Sequence, residues 1–326
     1  MNNKLSIIVP IYNEERWISR CLDSILRQTF LNFEVIIIND GSTDNSLDIL
    51  EQYCQKDSRI KCITTKNQGN AQALNVGLEH VTGDLVAFAD ADDYIEDRMY
   101  ETMVSALVQS GADLVECGCR KVNMAGRTLV KLQLQGQEIV GTDACARHFM
   151  KQQNIGNYVW NKIYRKELFE KLRFPDISYS MDYYMNAIIH SKIKRKVIIP
   201  GVFYNYMIHS GQATNNFRIG KNRIDGMRAG NMLAGRFSKD RELSAYACLY
   251  TCKYALEISE FVYKTKSADI KDFLREINRE LLHTLPHISL KSLESRAERE
   301  KIYQCILLMI FRERFFDFKW LFELDH

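Results

Sequence analysis

The acidic cluster Asp90, Asp92 and Asp93 is the part of this sequence whose chemistry is clearest. It follows directly after the apolar run at residues 85–89, which is typical of a β-strand buried on both faces. Carboxylates crowded at a partly desolvated strand end repel one another, and a bound cation relieves that repulsion. Mg²⁺ and Mn²⁺ prefer oxygen ligands and fill their remaining positions with water and phosphate oxygens. Capping of a helix before Ile95 would explain one aspartate but not three, so the cluster predicts a divalent-cation site.

A second polar segment, NDGSTD at residues 39–44, has two interpretations. Taken alone, it is typical of a strand-to-helix turn with Gly41 in a left-handed conformation and Ser42 or Asp44 as the helix cap. In the functional interpretation, Asp40 accepts a hydrogen bond from a nucleobase N–H and Tyr12 offers its ring for stacking. The chain contains neither G-x-G-x-x-G nor G-x-x-x-x-G-K-[ST], which argues against a dinucleotide or P-loop site.

These polar segments follow strands in an alternating pattern. Short apolar runs predict strands at residues 5–9, 33–38, 60–63, 85–89 and 113–117, and stretches with helical periodicity lie between them. The alternation predicts an α/β fold with a mostly parallel central sheet, flanked by helices and joined by right-handed crossovers. The carboxyl ends of its strands share one rim, where open α/β sheets bind ligands. Tyr12, Asp40 and the acidic cluster are therefore expected at the same rim.

Length and composition indicate a folded protein with two regions. The chain has 326 residues, of which 46% are hydrophobic and 26% charged, and its net charge of +3 is too small to indicate nucleic acid as a partner. The α/β pattern covers residues 1–215, and residues 216–326 predict an all-helical extension. Nine cysteines without a C-x-x-C pair predict reduced thiols and a cytoplasmic location.

The motifs taken together resemble family 2 glycosyltransferases. The resemblance rests on IIVPIYNEE at residues 7–15, CLDSI at residues 21–25 with Gln28 and Thr29 after it, NDGSTD at residues 39–44, and the acidic cluster. It covers about the first 215 residues and implies the GT-A fold and a nucleotide-sugar donor, expected to be a UDP-sugar, held over Mn²⁺ or Mg²⁺. It further implies that residues 1–119 are the nucleotide-sugar-binding half and residues 120–215 the acceptor-side half. The residues that the resemblance assigns to the donor are Pro10, Tyr12, Glu14, Asp40, Asn67, Gly69, Asp90, Ala91 and Asp92.

The resemblance also assigns residues in the acceptor-side half. Trp160, Asn161 and Lys162 lie in a segment that lines the acceptor side in the family, although a buried Trp followed by a solvated helix is an equal alternative. Asp182 corresponds to the general base, and its alternative is a helix cap. His209 is expected at the diphosphate or in the metal shell, with a structural hydrogen bond as the alternative. The metal ligands implied in this way are Asp92, Asp90 and His209.

Three positions depart from the family pattern. Leu74 and Met207 stand where arginine is common, and Met181 stands where glutamate is common. Loss of two cations near a leaving diphosphate weakens stabilisation of the transition state unless a metal and His209 compensate. The departures leave open a non-catalytic subunit that supports a partner transferase, whereas the intact acidic cluster and Asp182 favour activity.

The reaction implied is inverting transfer of a hexosyl or N-acetylhexosaminyl group. Asp182 deprotonates a hydroxyl of a glycan, lipid-linked glycan or glycoprotein, and the hydroxyl displaces the nucleoside diphosphate with metal assistance, as in polysaccharide biosynthesis. A nucleotidyltransferase would require a basic loop after the first strand, where residues 12–15 are acidic. The aromatic and basic residues at 311–322 predict either packing, including self-association through the C-terminal helices, or peripheral contact with the inner face of the membrane.

Overall fold

The computed structural model describes residues 3–151, 157–210, 212, 224–265, 270–284 and 288–311. The chain divides into two compact units. The first comprises Met1–Phe149, Asn154–Asp176 and Met185–Phe217, and the second comprises Met150–Gln153, Ile177–Tyr184 and Arg218–His326. Two short segments from within residues 1–215 therefore belong to the second unit. The boundary expected near residues 213–217 lies outside the described residues.

The first half of the α/β unit has the predicted alternation. Its elements are β1 (Leu5–Ile11), α1 (Ile18–Leu26), β2 (Phe33–Asn39), α2 (Ser46–Lys56), β3 (Ile60–Thr64), α3 (Asn70–Glu79) and β4 (Leu85–Phe88). β1 pairs in parallel with both β2 and β4, and β2 pairs in parallel with β3, giving the order β3-β2-β1-β4. β2 and β4 are buried at every residue, as expected for β-branched and apolar strands covered on both faces.

The second half of the sheet is mixed. Its elements are β5 (Tyr94–Ile95), α4 (Met99–Ser110), β6 (Leu114–Asn123), β7 (Thr128–Leu132), β8 (Gln137–Val140), α5 (Thr142–Lys151), β9 (Lys162–Arg165), a 3₁₀ turn (Lys166–Phe169), α6 (Met181–His190) and β10 (Arg195–Ile208). β9 lies between β4 and β6 and is antiparallel to both, and β10 is parallel to β6. Of the alternative interpretation of this segment, the buried Trp160 is present, but the residues after it form β9 and a 3₁₀ turn rather than a solvated α-helix.

Two buried lysines in the interior of the sheet have a buried glutamate as their partner. Nζ of Lys196 on β10 lies 2.6 Å from Oε2 of Glu116 on β6, and Nζ of Lys162 on β9 lies 3.4 Å from Oε1. Burial acts to raise the pKa of Glu116, but the two lysines outweigh that effect and lower it to about 2. Glu116 is thus held between two lysines across three neighbouring strands, an arrangement that hydrophobic periodicity does not reveal.

The described part of the C-terminal region is helical, as predicted. Its elements are α7 (Ile224–Arg236), α8 (Arg241–Thr265), α9 (Ile270–Thr284), a 3₁₀ turn (Leu290–Ser292) and α10 (Arg296–Phe311). Gly230 allows α7 to approach α8, because a Cβ there would collide with Thr251. Among the described helices, none combines the length and apolar character needed to cross a bilayer. The aromatic and basic residues after Phe311 lie outside the described residues.

Candidate functional site

The loops after β1 and β2 interlock at the rim of the sheet. Asn13 adopts a left-handed conformation with φ of 57°. Its backbone N–H donates to Oγ of Ser42 over 3.0 Å, and its side-chain oxygen accepts from the N–H of Thr43 over 2.7 Å. The N–H of Glu14 donates to Oγ of Ser46 over 2.9 Å. Two motifs about 30 residues apart in sequence therefore form one surface, because each satisfies the backbone groups of the other.

The turn after β2 has the predicted left-handed glycine. Gly41 has φ of 71°, and a Cβ there would lie 2.8 Å from the backbone nitrogen of Asn67. Asp44 binds the start of α2, since its Oδ1 accepts from the N–H of Ser46 over 3.0 Å. Its Oδ2 accepts from the N–H of Glu15 over 3.1 Å. Gly41 thus has the left-handed role that the turn interpretation gives it, whereas the residue at the cap position of α2 is Asn45 rather than Ser42 or Asp44.

Asp40 holds the loop before α3. Its carboxylate is almost fully buried, and its two oxygens accept from the N–H groups of Gln68 over 2.9 Å and of Gly69 over 2.8 Å. Oγ1 of Thr65 donates to it as well, over 3.2 Å. The structure therefore brings Asp40 together with Asn67 and Gly69, as the resemblance implied. Oδ2 accepts one recorded bond and retains capacity for a second donor, such as a nucleobase N–H.

Two other donor-side residues lie at the carboxyl end of β1. The side chain of Tyr12 is 47% exposed, so one of the few exposed aromatic rings of the unit lies at the rim. Pro10 is half-buried beside it within β1. Glu14 is near Asp92 and Asp44, and burial, then these two carboxylates, raise its pKa to about 7. The rim is therefore an electronegative surface with an aromatic ring beside it.

The acidic cluster forms the turn between β4 and β5. Its alternative interpretation as a helix cap is wrong, because the segment continues into the strand Tyr94–Ile95 and α4 begins only at Met99. The backbone N–H of Asp90 donates to the hydroxyl of Tyr204 over 3.1 Å, and Ala91 is buried. The side chain of Asp92 is 17% exposed, and its Oδ2 lies 3.0 Å from Nε2 of His209.

Asp93 has a different role from Asp92. It is 1% exposed, and its Oδ1 accepts the backbone N–H of Met207 over 2.7 Å, which ties the acidic turn to the end of β10. Burial, then the charges of Asp92 and Asp90, raise its pKa far above the ordinary value. Asp93 is a structural carboxyl group within the interior, whereas Asp92 faces the rim.

Nε2 of His209 and Oδ2 of Asp92 are within hydrogen-bond distance, which is the structural role that the alternative interpretation gives His209, and their spacing is also that of two adjacent ligands of a divalent cation. Adjacent ligands of an octahedral ion at about 2.1 Å from the metal are about 3.0 Å apart, and the carboxylate oxygen and the imidazole nitrogen are 3.0 Å apart. In the part of the chain that the structure describes, no group of three or more His, Cys, Asp or Glu side chains converges to hold a metal. The implied three-residue set is therefore not assembled, and an ion held by the pair would need water or phosphate oxygens as its other ligands.

The three residues expected on the acceptor side are interior residues. Trp160, Asn161 and Lys162 are at most 3% exposed. Trp160 stacks on Tyr204 with ring centroids 4.0 Å apart, and Nδ2 of Asn161 donates to the carbonyl of Cys117 over 2.8 Å. In this structure they hold β9 and the segment before it against β6 and β10, and they present no surface to an acceptor.

Asp182 lies in the first turn of α6, in the second unit. The residue that precedes Met181 is Ser180, which has φ of 64° and whose carbonyl accepts the N–H of Tyr184 over 3.1 Å. The hydroxyl of Tyr250 donates to Oγ of Ser180 over 2.9 Å, and the rings of Tyr183 and Tyr250 stack 3.6 Å apart. Asp182 is thus inside the helix rather than its cap, and contacts with α8 fix the backbone before it.

Sequence reasoning missed Arg20, which lies on α1. Its Nη2 donates to the backbone carbonyl of Asp92 over 2.8 Å, and its Nη1 lies 3.8 Å from Sδ of Met207. Leu74, Met181 and Met207, the positions that depart from the family pattern, are all buried. No sequence signal distinguishes Arg20 from an ordinary solvated arginine on an amphipathic helix.

Solved structures identify the class of fold. The crystal structure of S. aureus TarS 1-349 in complex with UDP-GlcNAc superposes with a TM-score of 0.66, covering 93% of this chain and 90% of that one at 21% identity. A second crystal structure of S. aureus TarS 1-349 gives a TM-score of 0.68 at 18% identity, covering 94% of this chain and 90% of that one. At these identities the likeness establishes the fold alone, which is the GT-A fold of glycosyltransferases.

The family follows from the sequence match. Residues 6–173 match the family described as Glycosyl transferase family 2, so the chain belongs to that family. It is 34% identical over 208 residues to an uncharacterized glycosyltransferase, EpsJ of Bacillus subtilis, covering 62% of this chain and 60% of EpsJ. It is 30% identical over 219 residues to the glycosyltransferase GlyA of Streptococcus pneumoniae, covering 65% of this chain and 31% of GlyA. The match therefore spans less than two thirds of either relative.

Proposed function

We propose that this protein is an inverting glycosyltransferase that moves a hexosyl or N-acetylhexosaminyl group from a UDP-sugar to a hydroxyl of a glycan, lipid-linked glycan or glycoprotein. The observation that carries the proposal is the Asp92–His209 pair, 3.0 Å apart at the rim of the sheet. Membership of family 2 supports glycosyl transfer. UDP-GlcNAc in the TarS crystal structure favours uridine in the donor.

The donor site is assigned to the rim of the first unit. The exposed ring of Tyr12 is available to stack on the base, and Asp40 has capacity for one more hydrogen bond from a base N–H. Asp92 and His209 would hold Mn²⁺ or Mg²⁺. When bound, such an ion neutralises the charge that develops on the leaving diphosphate. The pKa of Glu14 is raised to about 7, and a cation bound nearby would lower it and so favour the ionised carboxylate.

The base is assigned to Asp182. The acceptor hydroxyl gives its proton to this carboxylate, and its oxygen forms a bond to C1 of the sugar. The bond from C1 to the diphosphate oxygen breaks at the same time, and UDP departs with the electron pair. Support for the assignment is the place of Asp182 in the first turn of α6, where Ser180 and Tyr250 fix the preceding backbone. We place the reaction on the cytoplasmic side, because all nine cysteines are unpaired.

The test is UDP release by the purified chain from a panel of nucleotide sugars, with Mn²⁺ or Mg²⁺ and with acceptor extracts. Asp182→Asn is expected to reduce transfer by about 100-fold or more and to leave UDP binding by calorimetry intact. Asp97→Asn is the matched control, because the side chain of Asp97 is 57% exposed and forms only a surface ion pair. Full transfer by Asp182→Asn would remove the assignment of the base.

The buried apolar side chains at positions 74 and 207 favour a second candidate, a non-catalytic subunit that supports a partner transferase. In that case the purified chain binds UDP but releases none from any donor. Addition of a partner restores transfer, and Asp182→Asn then has no effect. Activity of the chain alone, lost in Asp182→Asn, excludes this candidate.

A further inference from the structure

The guanidinium of Arg20 occupies a central position beside the acidic turn. It reaches from α1 to the backbone carbonyl of Asp92, which it binds through Nη2 over 2.8 Å. The same group lies 3.8 Å from Sδ of Met207, at the end of β10. One cation therefore connects the turn that carries Asp92 with the strand that leads to His209.

The hydrogen-bonding capacity of this guanidinium is largely unused. A guanidinium has five N–H donors, and within the described residues the recorded acceptors of Arg20 are one carbonyl oxygen and one thioether sulfur, which is a weak acceptor. Its Nε is buried and has no hydrogen-bond partner there. Burying this one N–H donor without an acceptor is unfavourable, while the rest of the side chain is only half-buried and open to a ligand. An anion with several oxygens next to the turn would supply what the protein does not.

Aromatic rings fix the position of the guanidinium. Its Cζ lies 4.9 Å from the ring centroid of Tyr94 and 5.4 Å from that of Trp17. The ring of Trp17 lies in turn 4.9 Å from the ring of His209. Arg20 and His209 therefore flank the same indole, which places a permanent positive charge close to the Asp92–His209 pair. Positioning by packing leaves the N–H groups available and keeps the side chain ordered before a ligand arrives.

We propose that Arg20 is the cation of the donor site: its guanidinium binds the diphosphate of the nucleotide sugar and stabilises the charge on the departing nucleoside diphosphate. The inference rests on the proposed function and assigns to α1 the positive charge that the family commonly carries at position 207. Met207 fills that position with an apolar side chain, and Arg20 brings a guanidinium to its sulfur from another element.

The test compares UDP binding and turnover for variants at both positions. Arg20→Gln keeps a donor for the carbonyl of Asp92 and removes the charge. It should weaken Mn²⁺–UDP binding about tenfold in calorimetry and lower kcat by about tenfold or more, with little change in KM for the acceptor. Arg20→Lys should lose less, because it keeps the charge without the planar fork. The exchange Arg20→Met with Met207→Arg should recover part of the loss of Arg20→Met.

The control on the same helix is Arg27→Met, since Arg27 is 58% exposed and forms only a surface ion pair. Melting temperatures recorded for each variant separate binding from folding, and Arg20→Gln serves if Arg20→Met does not fold. UDP affinity and kcat of Arg20→Gln equal to those of Arg27→Met would overturn the inference. UDP calorimetry decides the matter even for a chain that turns over no donor, so failure of the catalytic proposal and failure of this inference are distinguishable.

Discussion

The pKa values of buried carboxyl groups are shifted in opposite directions in two regions of the same sheet. In the centre, Glu116 is flanked by Lys162 and Lys196, and its pKa is lowered to about 2. At the rim, the pKa of Asp93 is raised by burial and by neighbouring aspartates, and that of Glu14 is raised to about 7. The fold is thus able to place lysines beside an interior carboxylate. At the rim the negative charge stays in excess, which is the arrangement expected of a site that receives a cation from solution.

The two regions are expected to differ in what their charges do, stabilising the fold in the centre and binding a ligand at the rim. Compensated charges such as Glu116 couple strands to one another, and removing one partner leaves the others buried without a counter-ion. Uncompensated charges repel one another and lower the stability of the folded chain. We therefore expect substitutions in the centre to affect unfolding, and substitutions at the rim to affect ligand binding while leaving stability equal or higher.

The largest expected effect is on the centre of the sheet. Glu116→Gln leaves Lys162 and Lys196 buried beside each other, so the free energy of unfolding at pH 7 should fall by about 3–5 kcal/mol, measured by urea denaturation. Because the pKa of Glu116 is lowered in the folded state, the wild-type contribution is present above its ordinary pKa of 4.5 and is lost as the pH falls towards 2. The difference between the two proteins should therefore shrink in acid.

The matched control for this substitution is Glu138→Gln. Its partner is Arg195, and both side chains are at least 40% exposed, so the ion pair contributes no more than about 1 kcal/mol. The same stability for Glu116→Gln and Glu138→Gln would contradict the view that the central charges hold the strands together.

The second expected effect is at the rim. Asp92→Asn should reduce Mn²⁺-dependent UDP release by about 100-fold or more, because Asp92 is one of the two side chains assigned to the ion. The free energy of unfolding without metal should be nearly unchanged, since the substitution removes one of several mutually repelling carboxylates but also weakens the contact with His209. Electron paramagnetic resonance of free Mn²⁺ with UDP present measures binding independently of turnover. Wild-type Mn²⁺ binding in this variant would show that the ion lies elsewhere.

The parts of the fold that sequence predicted are those set by local patterns. β1 to β4, their parallel pairing and the left-handed Gly41 follow from β-branched runs and turn chemistry, and the structure confirms them. β9 was not predicted, because its place in the sheet depends on Lys162 meeting Glu116, which lies 46 residues earlier on another strand. Hydrophobic periodicity describes one element at a time and does not indicate a contact with a distant strand, such as that of Lys162 with Glu116.

The same limit applies to the candidate site. Sequence indicated that Asp92 belongs to a cation site, and the position of His209 near it came from the resemblance. The sequence does not distinguish the role of Asp92 from that of Asp93, because the role of Asp93 depends on the backbone N–H of Met207, more than 100 residues away. Arg20 was missed for a related reason, since its contacts come from β10 and the acidic turn rather than from its own helix.

The smallest expected effect is that of a substitution at Asp93, which tests whether Asp92 and Asp93 have different roles. Asp93→Asn keeps an oxygen that accepts the N–H of Met207 and removes a carboxyl group that the folded chain holds protonated at pH values where the unfolded chain ionises it, so the free energy of unfolding at pH 7 should rise by up to about 1 kcal/mol. Because the pKa of Asp93 is raised in the folded state, the wild-type protein loses stability as the pH rises through the ordinary pKa of 3.8, and the advantage of the variant should vanish below that pH. Thermal melts of both proteins between pH 3 and pH 8 measure this. Mn²⁺ binding should stay at the wild-type level, in contrast to Asp92→Asn; a loss as large as that of Asp92→Asn would mean that the two neighbouring aspartates share one role.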